Sequence, residues 1–438
     1  GILAAAQFAA GPGQPVGEPF VAGRPMGYLA PAGADPEADV PGWVARADQG
    51  EPYTDERGRQ IVTLLGRYHS AYQIDPSRPP PPLLVASGFT DDLFPVDEAI
   101  RFVNRTRRDH PGTPVALLLG DFGHQRASNK PADRARLVQA IHAWFDEHLR
   151  GGPRAMRGVL ATTQTCPRDA PAEGPFSAPT FAALARVRLR YAFADPQTID
   201  SSAGDPAGAA AIDPVGGGGD ACATTPSATQ PGTATYRLPA ATCAGYTLLG
   251  SPTITARLDV TGDADVQQIA GRLWDVAPDG GPQTLVARGF YRPRAGGDQT
   301  WQLAANGWRF AAGHVAKLEL LGADAPYGRA SNDSFRIGVE RLELALPVRE
   351  AIKRRLRLTL ACTAKGTLAT AAVTGAQVRR VDFLVPARRA LRDRAAPFRR
   401  IVAGRRSKPT RLRITARAAL EGEPSVRATR SGRACVRR

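Results

Sequence analysis

Asp91 and His124 are the residues whose types and spacing suggest chemistry. An apolar run, Leu83-Leu84-Val85-Ala86-Ser87, leads into Gly88-Phe89-Thr90-Asp91-Asp92. A second, Val115-Ala116-Leu117-Leu118-Leu119, leads into Gly120-Asp121-Phe122-Gly123-His124. Both runs read as buried parallel strands, and open α/β sheets carry their functional groups just beyond the carboxyl ends of such strands. A carboxylate there can fix a histidine's tautomer and stabilise the imidazolium that forms. The histidine can then act as general base and general acid for a nucleophile. Asp92 is the rival acid; its other reading is a charge at the start of the helix that Pro95 opens. His142 and His148 fall on a helix, His110 ends one, and His69 and His314 have no comparable context. His69, close to Tyr68 and Tyr72 in sequence, is a candidate lining residue for a substrate cleft.

Acid-then-histidine order along the chain calls for a serine earlier still, on a sharp G-x-S-x-G turn. No serine in the 438 residues has glycines two positions before and two after it. The chain begins at Gly1 rather than at methionine, so the expectation is a nucleophile upstream of this chain. The alternative is a hydrolase-like scaffold without one.

The surrounding pattern supplies the elements that would position the pair. Pro79-Pro80-Pro81-Pro82 delivers the chain into the first strand. Pro95 to His110 reads as a helix with Val96, Ile100 and Val103 on its apolar stripe, ended by Pro111-Gly112. Pro131 to Leu149 reads as another, with Leu137, Ile141, Trp144 and Phe145 on one face and Gly151-Gly152 closing it. The result is β-α-β-α, the end of a doubly wound sheet. Earlier, helices are expected over Gly1 to Ala9 and Thr54 to Tyr68.

From about Gly158 the apolar period becomes two. Strands are expected at Val159–Thr163, Ala185–Tyr191, around Ile254–Val260, in a hairpin Val266–Val276 and Thr284–Tyr291, and at Val315–Leu320 and Phe335–Leu346. Residues 198–235 read as a low-complexity loop. The last region, 350–438, alternates again: Leu356, Leu358 and Leu360 against Arg355 and Arg357, and Leu412, Ile414 and Ala416 against Arg411, Arg413 and Arg417. One face is apolar and the other carries arginine.

Charge is segregated. The chain carries a formal +16. Residues 351–438 hold 24 Lys/Arg against 4 Asp/Glu, a formal +20, and the first 350 residues hold 33 against 37, a formal −4. The arginine face is read either as a solvated surface or as an attachment site for an anionic polymer such as cell-wall teichoic acid, acidic glycan or nucleic acid. Phe383 and Phe398 are the region's only aromatics, which argues against sequence-reading nucleic-acid contacts.

The five cysteines lack C-x-x-C spacing, so no zinc site is expected. Cys362 and Cys435 stand near the two ends of the basic region and are expected to form a disulfide. Cys222 and Cys243 bracket a polar segment. Two bridges and a free thiol, Cys166 being the fifth cysteine, fit an exported protein. No stretch has the ~18 apolar residues of a membrane helix, and Gly1–Ala6 is too short and lacks the basic start of a signal peptide.

Taken together, these motifs resemble the X-prolyl dipeptidyl-peptidase-like serine hydrolases, the family that includes cocaine-esterase-like acylases. Gly88-Phe89-Thr90-Asp91-Asp92-Leu93-Phe94-Pro95 is similar to the family's acid motif and Gly120–His124 to its histidine motif. Ala143–Gly151 resembles its last hydrolase helix. Leu249-Gly250-Ser251-Pro252 and Gly271–Val276 resemble parts of its C-terminal jelly roll. The resemblance spans about residues 65–348 and departs from the family in lacking the serine elbow. It implies an α/β plus all-β chain: the C-terminal part of an α/β-hydrolase sheet with a lid-like insertion (1–152), then a jelly-roll β-sandwich (153–348). A small, basic immunoglobulin-like β-sandwich (350–438) follows as an addition. It further implies acyl-enzyme hydrolysis of a small ester, amide or peptide, with Asp91 and His124 catalytic and no cofactor. Exported, extracellular or wall-associated location is the matching expectation. A non-catalytic surface- or polymer-binding protein on the same scaffold is the alternative.

Overall fold

The structure is a computed structural model. It describes residues 39–69, 74–75, 77–91, 94–124, 127–213, 220–241, 244–263, 265–350, 355–374, 378–420 and 425–436. The helix expected at Gly1–Ala9 lies outside these residues. The architecture is mostly β-sheet with few helices. Two early helices, α1 (Val40–Gln49) and α2 (Glu56–His69), precede the first sheet.

That sheet is the scaffold of the Asp91 and His124 loops. Strand β1 (Leu83–Gly88) pairs in parallel with β2 (Val115–Gly120), from Leu83 opposite Val115 to Gly88 opposite Gly120. Every residue of β2 is buried, as expected of a parallel strand covered on both faces. Between them runs α3 (Val96–Asp109), which buries Val96, Ile100, Val103 and Thr106. Asp97 and Glu98 in its first turn and Arg107 and Arg108 in its last match the helix dipole. After β2 comes α4 (Pro131–Arg150), opened by its proline and closed by Gly151 in the left-handed conformation, φ 66°. Trp144 is buried as the apolar stripe requires, but Phe145 is 55% exposed. The buried face of α4 is thus narrower than the sequence suggests.

Strand β3 (Gly158–Ala161) corrects the expected start of the second region. It was expected to open the alternating β-structure, yet it joins the first sheet, pairing in parallel with Ala116–Leu119 of β2. Strand β4 (Phe176–Ala178) then adds antiparallel. The hydrolase-like sheet therefore runs past residue 152, in the order β1-β2-β3-β4. Four residues are too few for periodicity to separate a fully buried strand from a half-buried one.

Two antiparallel sheets follow and share one core. The first is built on Arg336–Val348, flanked by Thr253–Thr261 and by Val187–Phe193 and Gln197–Asp200. The second is built on Ile269–Val276, between Gln283–Tyr291 and Val315–Leu321. Ile254, Leu344 and Phe310 from one sheet meet Leu273, Val286 and Leu318 from the other. The segment 198–235, expected as a loop, contains a helix, Pro206–Ile212, and strands Thr224–Thr225 and Ala234–Arg237. Asp205 caps that helix by accepting from the Gly208 N–H, and Ala209 and Ile212 bury its inner face. Alanine and glycine there serve close packing, which composition alone reads as low complexity.

The basic region forms two further antiparallel sheets. One holds Arg355–Thr363, Gly366–Thr374 and Arg399–Ala403; the other holds Leu391–Asp393, Val378–Leu384, Arg411–Leu420 and Val426–Arg433. Their core, with Leu358, Ala369, Val381, Phe383 and Ile414, is separate from that of the preceding sandwich. Cys362 and Cys435 are bonded, with Cα atoms 5.5 Å apart. The other bridge corrects the sequence reading: Cys222 pairs with Cys166, and Cys243 lies outside the described residues. Arg357 lies on a strand of the first of the basic region's sheets, and Arg411, Arg413 and Arg417 lie on a strand of the second.

Candidate active site

The ends of β1 and β2 are held together by close backbone approach. The ladder continues one step beyond the strands, Phe89 N–H donating to the Gly120 carbonyl at 2.9 Å. A Cβ at Gly88 would stand on the Phe122 carbonyl oxygen, so only glycine lets β1 pass the loop after β2. Gly123 has φ 143°, and a Cβ there would come within 2.8 Å of the Asp91 carboxylate. The glycines that mark these two motifs in the sequence are the contact points of two loops.

Those loops bring Asp91 and His124 together. His124 Nδ1 lies 3.0 Å from Asp91 Oδ2 and 3.1 Å from Oδ1. The Asp91 side chain is 10% exposed and the His124 side chain 43%. Asp91 Oδ1 also accepts from the Phe94 N–H at 2.9 Å. The Phe94 ring lies tilted against the imidazole, with centroids 5.3 Å apart. A histidine held through Nδ1 by a carboxylate keeps Nε2 for proton exchange. Asp92 lies outside the described residues, as do the side chains of Tyr68 and His69 and all of Tyr72.

A second acid ties the two loops together, and sequence reasoning gave it no role. Asp121 is fully buried. Its Oδ1 accepts from Thr90 Oγ1 at 2.7 Å, joining the two loops, and from the Ser128 N–H at 3.0 Å. Asn129, at φ 52° in the left-handed region, closes the turn. Its Oδ1 accepts from the Gly123 N–H at 3.1 Å and its Nδ2 donates to the Gly123 carbonyl at 3.0 Å. Lys130 Nζ lies 4.0 Å from Asp121 Oδ2 and donates to the Thr165 carbonyl at 2.9 Å. Burial lowers the Lys130 ammonium from its ordinary value, opposed by Asp121 and Asp133. The D-F-G-H run was the available signal: an aspartate directly after a buried strand has no solvent and must find donors.

The β-sandwich closes one side. Asp97 on α3 accepts from Ser251 Oγ at 3.1 Å and from the Ala305 N–H at 3.1 Å. Burial raises the Asp97 carboxyl above its usual range, and those hydrogen bonds oppose the rise. A narrow crevice beside Asp91 is lined by Phe89 and Pro95 on one side and by Ala287, Arg288 and Tyr327 on the other. The Arg288 guanidinium stacks 3.5 Å above the Tyr327 ring.

The sandwich holds another acid–histidine pair, which the sequence did not reveal. His314 Nδ1 lies 2.9 Å from Asp275 Oδ1, and Trp308 Nε1–H donates to Asp275 Oδ2 at 2.9 Å. Asp275 stands one residue before the end of Ile269–Val276, a strand of an antiparallel sheet, and is buried with both its oxygens engaged. This pair ties adjacent strands.

No family model matches the chain, and no curated protein matches it in sequence. Among solved structures, an aminopeptidase from the marine sediment archaeon Thaumarchaeota archaeon superposes with a TM-score of 0.51 at 12% identity. That match covers 70% of this chain and 60% of the aminopeptidase. A CocE/NonD family hydrolase from Staphylococcus aureus superposes with a TM-score of 0.45 at 11% identity, covering 70% of this chain and 59% of that one. An alpha-amino acid ester hydrolase gives 0.44 at 14%, covering 73% and 63%. The aminopeptidase likeness is one of fold: the chain has a hydrolase-like scaffold and spans about 60% of that enzyme's length.

Proposed function

We propose that this protein is a serine hydrolase of the acyl-enzyme type, acting on small esters, amides or peptides. The resemblance of its acid and histidine motifs supports the X-prolyl dipeptidyl-peptidase-like enzymes as its functional class. Asp91 is the acid and His124 the general base. The observation that carries the reading is the 3.0 Å contact between Asp91 Oδ2 and His124 Nδ1 at the ends of two adjacent parallel strands. In this reading His124 Nε2 takes the hydroxyl proton as serine Oγ attacks the acyl carbonyl. Asp91 stabilises the imidazolium, and the same proton passes to the departing alcohol or amine. Water, activated by the same nitrogen, then releases the acid.

The serine comes from residues that are not among these 438. The edge of the first sheet supports this. Parallel strands are ordinarily covered on both sides, yet Leu83, Leu84 and Val85 are only half-buried and Ala86 is exposed, while β2 is buried throughout. Among the described residues, β2 is β1's only strand neighbour. An apolar, unpaired parallel edge is what a neighbouring strand bearing the nucleophile would cover. The missing elbow also favours a second reading, a non-catalytic binding protein on the same scaffold.

The central sandwich fits a jelly roll, and the sheet division of the basic region fits an immunoglobulin-like sandwich. Two disulfides support an oxidising, extracellular setting. No helix among the described residues is long and apolar enough to cross a membrane.

A serine-directed fluorophosphonate tests the assignment on this chain. The expected result is no stoichiometric serine label by mass spectrometry. One fully labelled serine, lost on His124→Ala, would show that the nucleophile lies within these residues.

A further inference from the structure

We propose that one sheet face of the basic region binds a linear polyol-phosphate polymer of a cell surface. The inference is independent of the hydrolase reading. It rests on the register of two strands. Arg411 stands directly opposite Arg433, Arg413 opposite Ser431, Thr415 opposite Thr429 and Arg417 opposite Arg427. Thr415 Oγ1 and Thr429 Oγ1 are 2.9 Å apart, so these positions share a face. All five arginines are exposed, while Leu412, Ile414, Ala416 and Ala418 turn inward.

Like charges directly opposite each other across an antiparallel pair are destabilising. This face has two such pairs. Among the described residues, Asp382, opposite Arg417 on the next strand, is an acid of this face, and it is engaged by Arg380 at 3.2 Å and Arg392 at 2.8 Å. Among the described residues, the carboxylates of this region pair with Arg380, Arg392 and Arg400, and none forms a salt bridge with Arg411, Arg413, Arg417, Arg427 or Arg433. Solubility alone does not call for repelling pairs in register. A bound polyanion does, since it turns the repulsion into attraction.

The chemistry narrows the partner. The region uses 21 arginines and 3 lysines, and arginine's planar fork suits bidentate contact with phosphate. Alternate positions along a strand are ~7 Å apart, so one extended chain can meet several guanidinium groups in turn. Phe383 and Phe398 are both buried, which leaves no aromatic platform for stacking bases. A phosphodiester polymer without bases fits better than nucleic acid.

The test measures binding of the whole chain to a poly(glycerol phosphate) oligomer between 50 and 200 mM salt. Five phosphate contacts on a single-stranded polyanion predict an affinity loss of about 100-fold over that range. The quintuple variant R411Q/R413Q/R417Q/R427Q/R433Q should lose this binding and most of the salt dependence. Its melting temperature should be unchanged or higher, because opposed like charges are removed. A control with the same charge loss in exposed loops, R388Q/R389Q/R394Q/R405Q/R406Q, should keep most of the binding. Equal losses in both variants would overturn the proposal, as would a salt effect on the unmodified chain below about 5-fold. Tighter binding of a single-stranded oligonucleotide than of poly(glycerol phosphate) would overturn the choice of partner.

Discussion

Replacing both Cys362 and Cys435 by serine is expected to remove about 4 kcal/mol from the stability of the basic region. The bridge closes a separation of 73 residues, and the chain-entropy relation for a loop of that size gives this figure. A region of its length has a total stability of about 4–13 kcal/mol, so the loss is a large fraction of the whole. At about 4–8 °C per kcal/mol for a small domain, its transition should fall by roughly 20 °C. The core here is separate from that of the preceding sandwich. The transition of residues 39–350 should therefore stay in place in a calorimetric scan. A shift below about 5 °C, or equal shifts of both transitions, would mean that the bridge does not constrain this region independently.

Gly88→Ala is expected to separate the two loops that carry Asp91 and His124. The added methyl would meet the Phe122 carbonyl oxygen, which is backbone and cannot rotate aside as a side chain can. The loop after β2 must move, and the Phe89-to-Gly120 hydrogen bond lies directly beside it. Overpacking of this kind costs about 3 kcal/mol at the upper end of its usual range. The Asp91 carboxylate and the His124 ring should lose contact, detectable as faster solvent exchange of the His124 Nδ1 proton by NMR. Gly112→Ala is the control, since a Cβ there meets nothing within 4 Å. An unchanged Nδ1 proton in Gly88→Ala would show that the close approach is not what sets the pair.

Much of this site was legible in the sequence because strands, helix stops and tight turns are local signals. The apolar runs at 83 and 115, Pro95, Pro131 and Gly151 each act within a few residues. The elements they predict, and the spacing that sets Asp91 against His124, follow directly. What was not legible depends on long-range partners. Asp121 and Thr90 are 31 residues apart, and nothing in either neighbourhood announces the contact. Asp97 finds Ser251 at a separation of 154. The bridge from Cys166 to Cys222 is equally long-range, because it crosses from the first sheet region into the sandwich. The four-residue β3 was misplaced because its parallel neighbour, not its own pattern, decides its sheet. The opposed arginines could be read as one face but not as pairs, since register emerges only when strands are aligned.

The most direct measurement of the central claim is acyl-substrate hydrolysis by the product of the complete gene, unmodified and as Asp91→Asn and His124→Ala. Asp91→Asn preserves shape but removes the charge that fixes the histidine tautomer, and should lower turnover by about 10⁴-fold. His124→Ala should lower it at least as much, with folding unchanged by circular dichroism. Hydrolysis that survives either substitution within about 10-fold would contradict the assignment of Asp91 and His124 as the acid and base of this protein.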